Sequence, residues 1–194
     1  MKDAHRSRPY LIVGLGNPGR EYRWNRHNAG FLVLDRLAER LGTRFSRLKM
    51  DALVTDARFQ DEKLILAKPQ TFMNSSGKAV RSLVNFFKIP LARLLLVYDD
   101  VDLPFPQIRI RPAGGAGGQK GIKSVIQQLS SQEFPRMRIG IDRPPGRMPV
   151  SSYVLQDFST EEREIFDRVR DQAAEAVLLF VSEGIDQAMT EYNS

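Results

Sequence analysis

The chain has 194 residues, 42% hydrophobic and 27% charged, enough for one globular domain with a sizeable core, and no apolar run reaches the roughly 20 residues that cross a bilayer. With no cysteine, and His5 and His27 as its two histidines, it has no disulfide, thiol nucleophile or thiolate metal site, and little is left to hold zinc. The formal net charge is +6, but the residues from Asp157 onward hold ten acidic side chains against three arginines, a local −7, which leaves +13 on residues 1–156. Such a basic body attracts polyanions such as nucleic acid, unless it is only a solvated surface.

The opening MKDAHRSRP is polar and lacks the apolar core of a signal peptide. Residues 1–9 read as a flexible leader in which His5 is inert, ahead of a domain spanning 10–194 in a soluble, cytoplasmic protein with no membrane partner. YLIVGLG is a buried strand and NAGFLVLDRLAERLG an amphipathic helix closed by Gly42. DALVTDARF and KLILAKP are strand candidates, SSGKAVRSLVNFFKI is a helix opened by capping residues Asn74 to Ser76, and RLLLVYDD is another buried strand. QIRIRP alternates as a half-buried strand does. GGAGGQKG is a flexible glycine-rich loop leading into the helix GIKSVIQQLS, and RMRIGID supplies a further strand. From Thr160 the tail is helical in period, broken near Gly184. Strands interleaved with helices define an α/β fold: a single globular domain whose twisted mixed sheet is flanked by helices.

Gly14-Leu15-Gly16-Asn17-Pro18-Gly19 matches the GxGxxG dinucleotide fingerprint in letters. The fingerprint needs a helix starting at its third glycine, whereas Pro18 and the polar REYRWNRH follow, so a dinucleotide site is not expected. More useful are Asn17, His27 and Asn28, which fall between the strand end and the helix start. Asp99 lies at the C-terminal end of a buried strand, the edge where open α/β sheets place their sites, and could hold an imidazole in one tautomer. The rival readings of Asp99, Asp100 and Asp102 are a magnesium site or a simple turn; alternation along a strand makes the three converge poorly.

GLGNPGREYRWNRHNAGF, KPQTFMNSSG, VYDDVDLP and RIRPAGGAGGQKGIKS resemble, in order and spacing, segments of bacterial-type peptidyl-tRNA hydrolases, and the resemblance covers about residues 10–192. It implies a single α/β globule acting as a monomer, without metal or cofactor, on peptidyl-tRNA released from stalled ribosomes. His27 matches the family's catalytic histidine and Asp99 its orienting aspartate; His27 is then the base that activates water against the ester. Asn17 matches a substrate-binding asparagine, and Asn74 the one implicated in binding the peptide backbone and stabilising the reacting carbonyl. Phe72 and Met73 line the cleft, or else are plain core, and Tyr22 supports it.

Arg109 and Arg111 are two apart in a strand and share a face, a spacing that Arg136 and Arg138 repeat, while Lys120 and Lys123 begin the next helix. The resemblance implies phosphate contacts for Arg109, Arg111 and Arg138; the bland alternative for each is a solvated strand face. Two departures stand out. Gln119-Lys120 replaces the His-Asn of the family's GGHNG, so Lys120 stands where an amide helps hold the substrate or its water, and Asn25 stands where threonine is common. The first departure keeps open a non-catalytic RNA-binding relative, like the plant organellar splicing factors that resemble this family. A serine esterase using Ser75 or Ser76 lacks the GxSxG turn.

Overall fold

Residues 8–194 are the part of the chain that the computed structural model describes, and strands and helices are interspersed along it. His5 and most of the expected leader lie outside the described residues. Seven strands, β1 (Tyr10–Gly14), β2 (Arg47–Lys49), β3 (Ala52–Phe59), β4 (Glu62–Pro69), β5 (Leu94–Asp100), β6 (Ile108–Arg111) and β7 (Arg136–Gly140), form one sheet in the order β2-β3-β4-β1-β5-β7-β6. β4, β1, β5 and β7 run parallel, and the flanking β3, β2 and β6 pair antiparallel, so the sheet is mixed, as expected.

The central strands are apolar on both sides because helices cover both faces. Leu95 and Val97 of β5 face the cluster built with α1 (Ala29–Arg40) and α5 (Thr160–Glu183), and α6 (Ile185–Tyr192) joins that layer. Leu94, Leu96 and Tyr98, of opposite parity, face α2 (Ser76–Phe87) and α3 (Lys120–Leu129). The long α5 opens with a capping box in which Ser159 and Glu162 satisfy each other's backbone N–H, and ends at Gly184.

The glycines of GLGNPG serve packing. A Cβ on Gly14 would lie 2.3 Å from the Gly30 carbonyl oxygen, and one on Gly16 2.7 Å from the Phe31 ring. No α-helix starts at Gly19; the next begins at Ala29. One strand and one α-helix escaped the pattern reading, the edge strand β2 and the short helix α4 (Val150–Tyr153). The capping expected from Asn74 to Ser76 is also corrected. Ser75 is the cap residue of α2 but its side chain makes no cap hydrogen bond; the Gly77 N–H donates instead to Ser124 Oγ of α3 at 2.9 Å. The reason is proximity, since a Cβ on Gly77 would sit 2.2 Å from the Ser124 carbonyl oxygen, so α3 supplies the partner that a local side chain usually gives.

Candidate active site

His27 sits in a 3-10 turn, Arg26–Asn28, between β1 and α1, and its backbone is pinned from two directions. On one side the segment after α4 pairs with it: Arg26 N–H donates to Gln156 O at 3.0 Å and His27 N–H to Val154 O at 2.8 Å. The Arg26 guanidinium reaches Glu162 at 2.9 and 3.0 Å and lies over the Tyr153 ring, 4.5 Å from its centroid. The departure at Asn25 has a local purpose, because its amide donates to Asp157 at 2.6 Å within the same bridge. On the other side Asn28 exchanges two hydrogen bonds with the Asn17 backbone, at 2.8 and 3.0 Å. The Asn17 side-chain oxygen in turn accepts Met73 N–H at 2.7 Å, so its amide NH₂ is the part left for a ligand.

Asp99 has the parity of Leu95 and Val97 and therefore projects on the α1 side of the sheet, where the His27 turn lies. Its Oδ2 is 2.7 Å from His27 Nδ1, and both residues are buried, 2% and 9% exposed. A carboxylate only accepts, so Nδ1 carries the proton and Nε2 keeps its lone pair. Burial pushes the imidazole pKa down, but the Asp99 charge and hydrogen bond outweigh burial, and the nearby Lys120 charge opposes them; the balance lies above the ordinary 6.5.

The pair opens into a cleft of about 750 Å³ that also collects Asn17, Tyr22, Phe72, Met73, Asn74 and Lys120, so every residue expected to bind substrate lines one space. Phe72 is exposed at the rim and meets Tyr22 edge-to-face at 6.4 Å, whereas Met73 is buried in the core beneath α2 and also lines the floor of the cleft, so for Met73 core packing and cleft lining coincide. The lining supplied by Val150, Val154 and Leu155, together with Arg143, was not anticipated. It comes from a short helix and its exit, a stretch with no period to read. Gln119, noted earlier only as a departure, donates to the second oxygen of Asp99, at 3.1 Å.

The other carboxylates of VYDDVDLP are separately engaged. Asp100 pairs with Arg138 at 2.6 Å, and Asp102 with Arg143. No group of three or more His, Cys, Asp or Glu side chains that could hold a metal ion occurs among the described residues.

Arg109, Arg111, Arg136 and Arg138 fall on one face of the β6–β7 pair, since Arg109 registers with Arg138 and Arg111 with Arg136. They are not equivalent. Arg136 is buried and donates to the carbonyls of Gly115 and Gln132 at 3.0 and 2.9 Å, tying down the glycine-rich loop, so its repeat of the spacing reflects structure. Arg138 is half-buried against Asp100, Arg109 donates to Asn193 O at 2.7 Å, and Arg111 is exposed.

A buried carboxylate and imidazole face a cleft at the carboxyl ends of the parallel central strands, which is the geometry of an α/β domain with its site at that edge of the sheet. The family model for peptidyl-tRNA hydrolase matches residues 11–194. A peptidyl-tRNA hydrolase of Thermoanaerobacter sp. (strain X514) is 49% identical over 184 residues, 95% of this chain and 99% of that protein. A mitochondrial peptidyl-tRNA hydrolase of Oryza sativa subsp. japonica is 45% identical over 193 residues, 99% of this chain and 77% of that protein. The crystal structure of peptidyl-tRNA hydrolase from Acinetobacter baumannii matches with a TM-score of 0.90 at 34% identity, covering 98% of this chain and 97% of that one. The chain belongs to the peptidyl-tRNA hydrolase family.

Proposed function

We propose that this chain hydrolyses the ester bond between peptide and tRNA in peptidyl-tRNA released from stalled ribosomes, returning the tRNA to use. The observation that carries the mechanism is the 2.7 Å pair of His27 Nδ1 and Asp99 Oδ2, with Nε2 free to face the cleft. Nε2 takes a proton from water, whose oxygen attacks the ester carbonyl; the imidazolium, held by Asp99, then returns the proton to the departing ribose oxygen. Asn74, exposed in the same cleft, donates its amide N–H to the developing oxyanion. Asn17 NH₂ and Lys120 bind polar groups of the substrate, while Tyr22, Phe72 and Met73 shape the apolar wall. The chain works as a monomer in the cytoplasm and without a metal ion or cofactor.

The test is to offer the protein N-acetylated aminoacyl-tRNA and free aminoacyl-tRNA, each after dialysis against a chelator. Selective release from the blocked ester supports the reading. Binding without release from either would return the chain to the non-catalytic alternative.

For the tRNA body we assign phosphate contacts to Arg109, Arg111 and Arg138. Exposure favours Arg111 most, and Arg109 and Arg138 keep donors beyond the ones they use internally. Arg111→Ala lowers the slope of log affinity against log salt by about one, the share of a single phosphate contact. An unchanged slope in a filter-binding titration removes Arg111 from the interface.

A further inference from the structure

Gln119 stands where the glycine-rich loop becomes α3, and its side-chain amide is engaged at both ends. Oε1 accepts the Ile122 N–H at 2.8 Å, capping the helix, while Nε2 donates to Asp99 Oδ1 at 3.1 Å and lies 3.3 Å from Met73 Sδ. The two ends of an amide are chemically distinct, and a backbone N–H accepts nothing, so the helix cap decides which end meets Asp99. The side chain also has little room to swing. Next to it, a Cβ on Gly121 would lie 2.5 Å from Met73 Sδ and 3.0 Å from Gln119 Oε1, so the first turn of α3 is pressed onto this corner.

We propose that Gln119 is a positioning residue for the hydrolysis, fixing the Asp99 carboxylate from one oxygen while His27 binds the other, and so setting the direction of the His27 ring. The proposal rests on the reading of His27 and Asp99 as base and orienter. Its physical content is that each oxygen of a buried carboxylate has its own N–H donor, from elements on opposite faces of the sheet, so rotation of the carboxylate breaks one hydrogen bond or the other. Glutamine carries no ionising group, so this support does not change across the pH range in which His27 titrates. The other charged groups at the site are Lys120 from α3, Asp102 paired with Arg143, and Asp100 paired with Arg138.

Capping and positioning separate by side-chain length. Gln119→Ser keeps an oxygen that can cap α3 but is too short to reach Asp99, and Gln119→Leu loses both contacts. Both variants should lose about tenfold in kcat with KM within twofold, the cost of one hydrogen bond to a charged group. The acid limb of their pH–rate profiles should move to higher pH, because Asp99 without its second donor attracts the imidazolium proton more strongly. The His27 Nδ1–H proton resonance should shift with it. Gln119→His, which keeps one donor and one acceptor, recovers most of the loss. Wild-type kcat and pH profile in Gln119→Ser overturn the proposal. If serine folds poorly, equal turnover in Gln119→Leu and Gln119→His overturns it as well. Failure of the underlying reading looks different: His27→Ala would then turn over like the parent.

Discussion

His27→Ala lowers turnover of N-acetylated aminoacyl-tRNA by about 10² to 10⁴-fold, the usual worth of a positioned general base, and leaves tRNA affinity within twofold or threefold. Affinity is spared because His27 is only 9% exposed and its Nδ1 is taken by Asp99, which leaves little of the side chain for the tRNA to contact. The pH dependence adds a second reading of the same residue. A base works when unprotonated, so a His27 pKa held above 6.5 places the acid limb of kcat/KM above that value. In Asp99→Asn the attraction that raised the pKa is gone, while burial and Lys120 still lower it, so the limb moves below 6.5 as turnover falls. Asparagine also offers one acceptor and one donor to a position flanked by two donors, His27 Nδ1–H and Gln119 Nε2–H, so one hydrogen bond is lost. Folding is linked to the same proton. A raised folded pKa contributes stability that is fully present below 6.5 and lost as pH rises through the folded value, so the parent gains on Asp99→Asn toward acid pH. A limb that stays put in Asp99→Asn would contradict this account of the dyad.

What could be read before the structure follows from where the information lies. β1, β5, α1 and α3 were legible because periodic apolar residues report burial on one or both faces, and His27 and Asp99 because they end or follow such elements. The pairing of the two needs the sheet order, in which β5 lies beside β1 although 79 residues separate Gly14 from Leu94; no local pattern encodes that neighbour. The bridge from Val154 and Gln156 to the His27 turn was invisible for the same reason, being made of backbone groups that any residues carry. Arg136 and Arg138 show the limit from the other side. They share a face and a spacing, yet one is wrapped by three carbonyls and the other is paired to Asp100, a difference set by neighbours from other parts of the fold. Gln119 could be seen as an exchange for histidine, but its cap and its bond to Asp99 arise only when α3 meets the end of β5.

Gly30→Ala should lower stability by about 3 kcal/mol, the upper range for overpacking, or a fall in melting temperature of roughly 6–12 °C for a chain of this size. The added Cβ would stand 2.2 Å from Val97 O, 2.6 Å from Leu15 N and 2.7 Å from Leu15 O. All three are backbone atoms, of β5 and of the residue that follows β1, so no side chain can rotate aside, and α1 itself must lift from the sheet. That movement carries the turn Arg26–Asn28 with it, because α1 begins at Ala29 directly after the turn. His27 is held to β5 by its contact with Asp99, and the same lift lengthens that contact, so turnover falls along with stability. Gly115→Ala is the matched control, since a Cβ there meets nothing within 4 Å and its φ is not in the left-handed range. Calorimetry and single-turnover hydrolysis on the two variants separate a packing effect at one glycine from a general cost of losing glycine. Matching melting temperatures would mean that α1 has slack against β5, and the close seat of His27 over Asp99 would then need another cause.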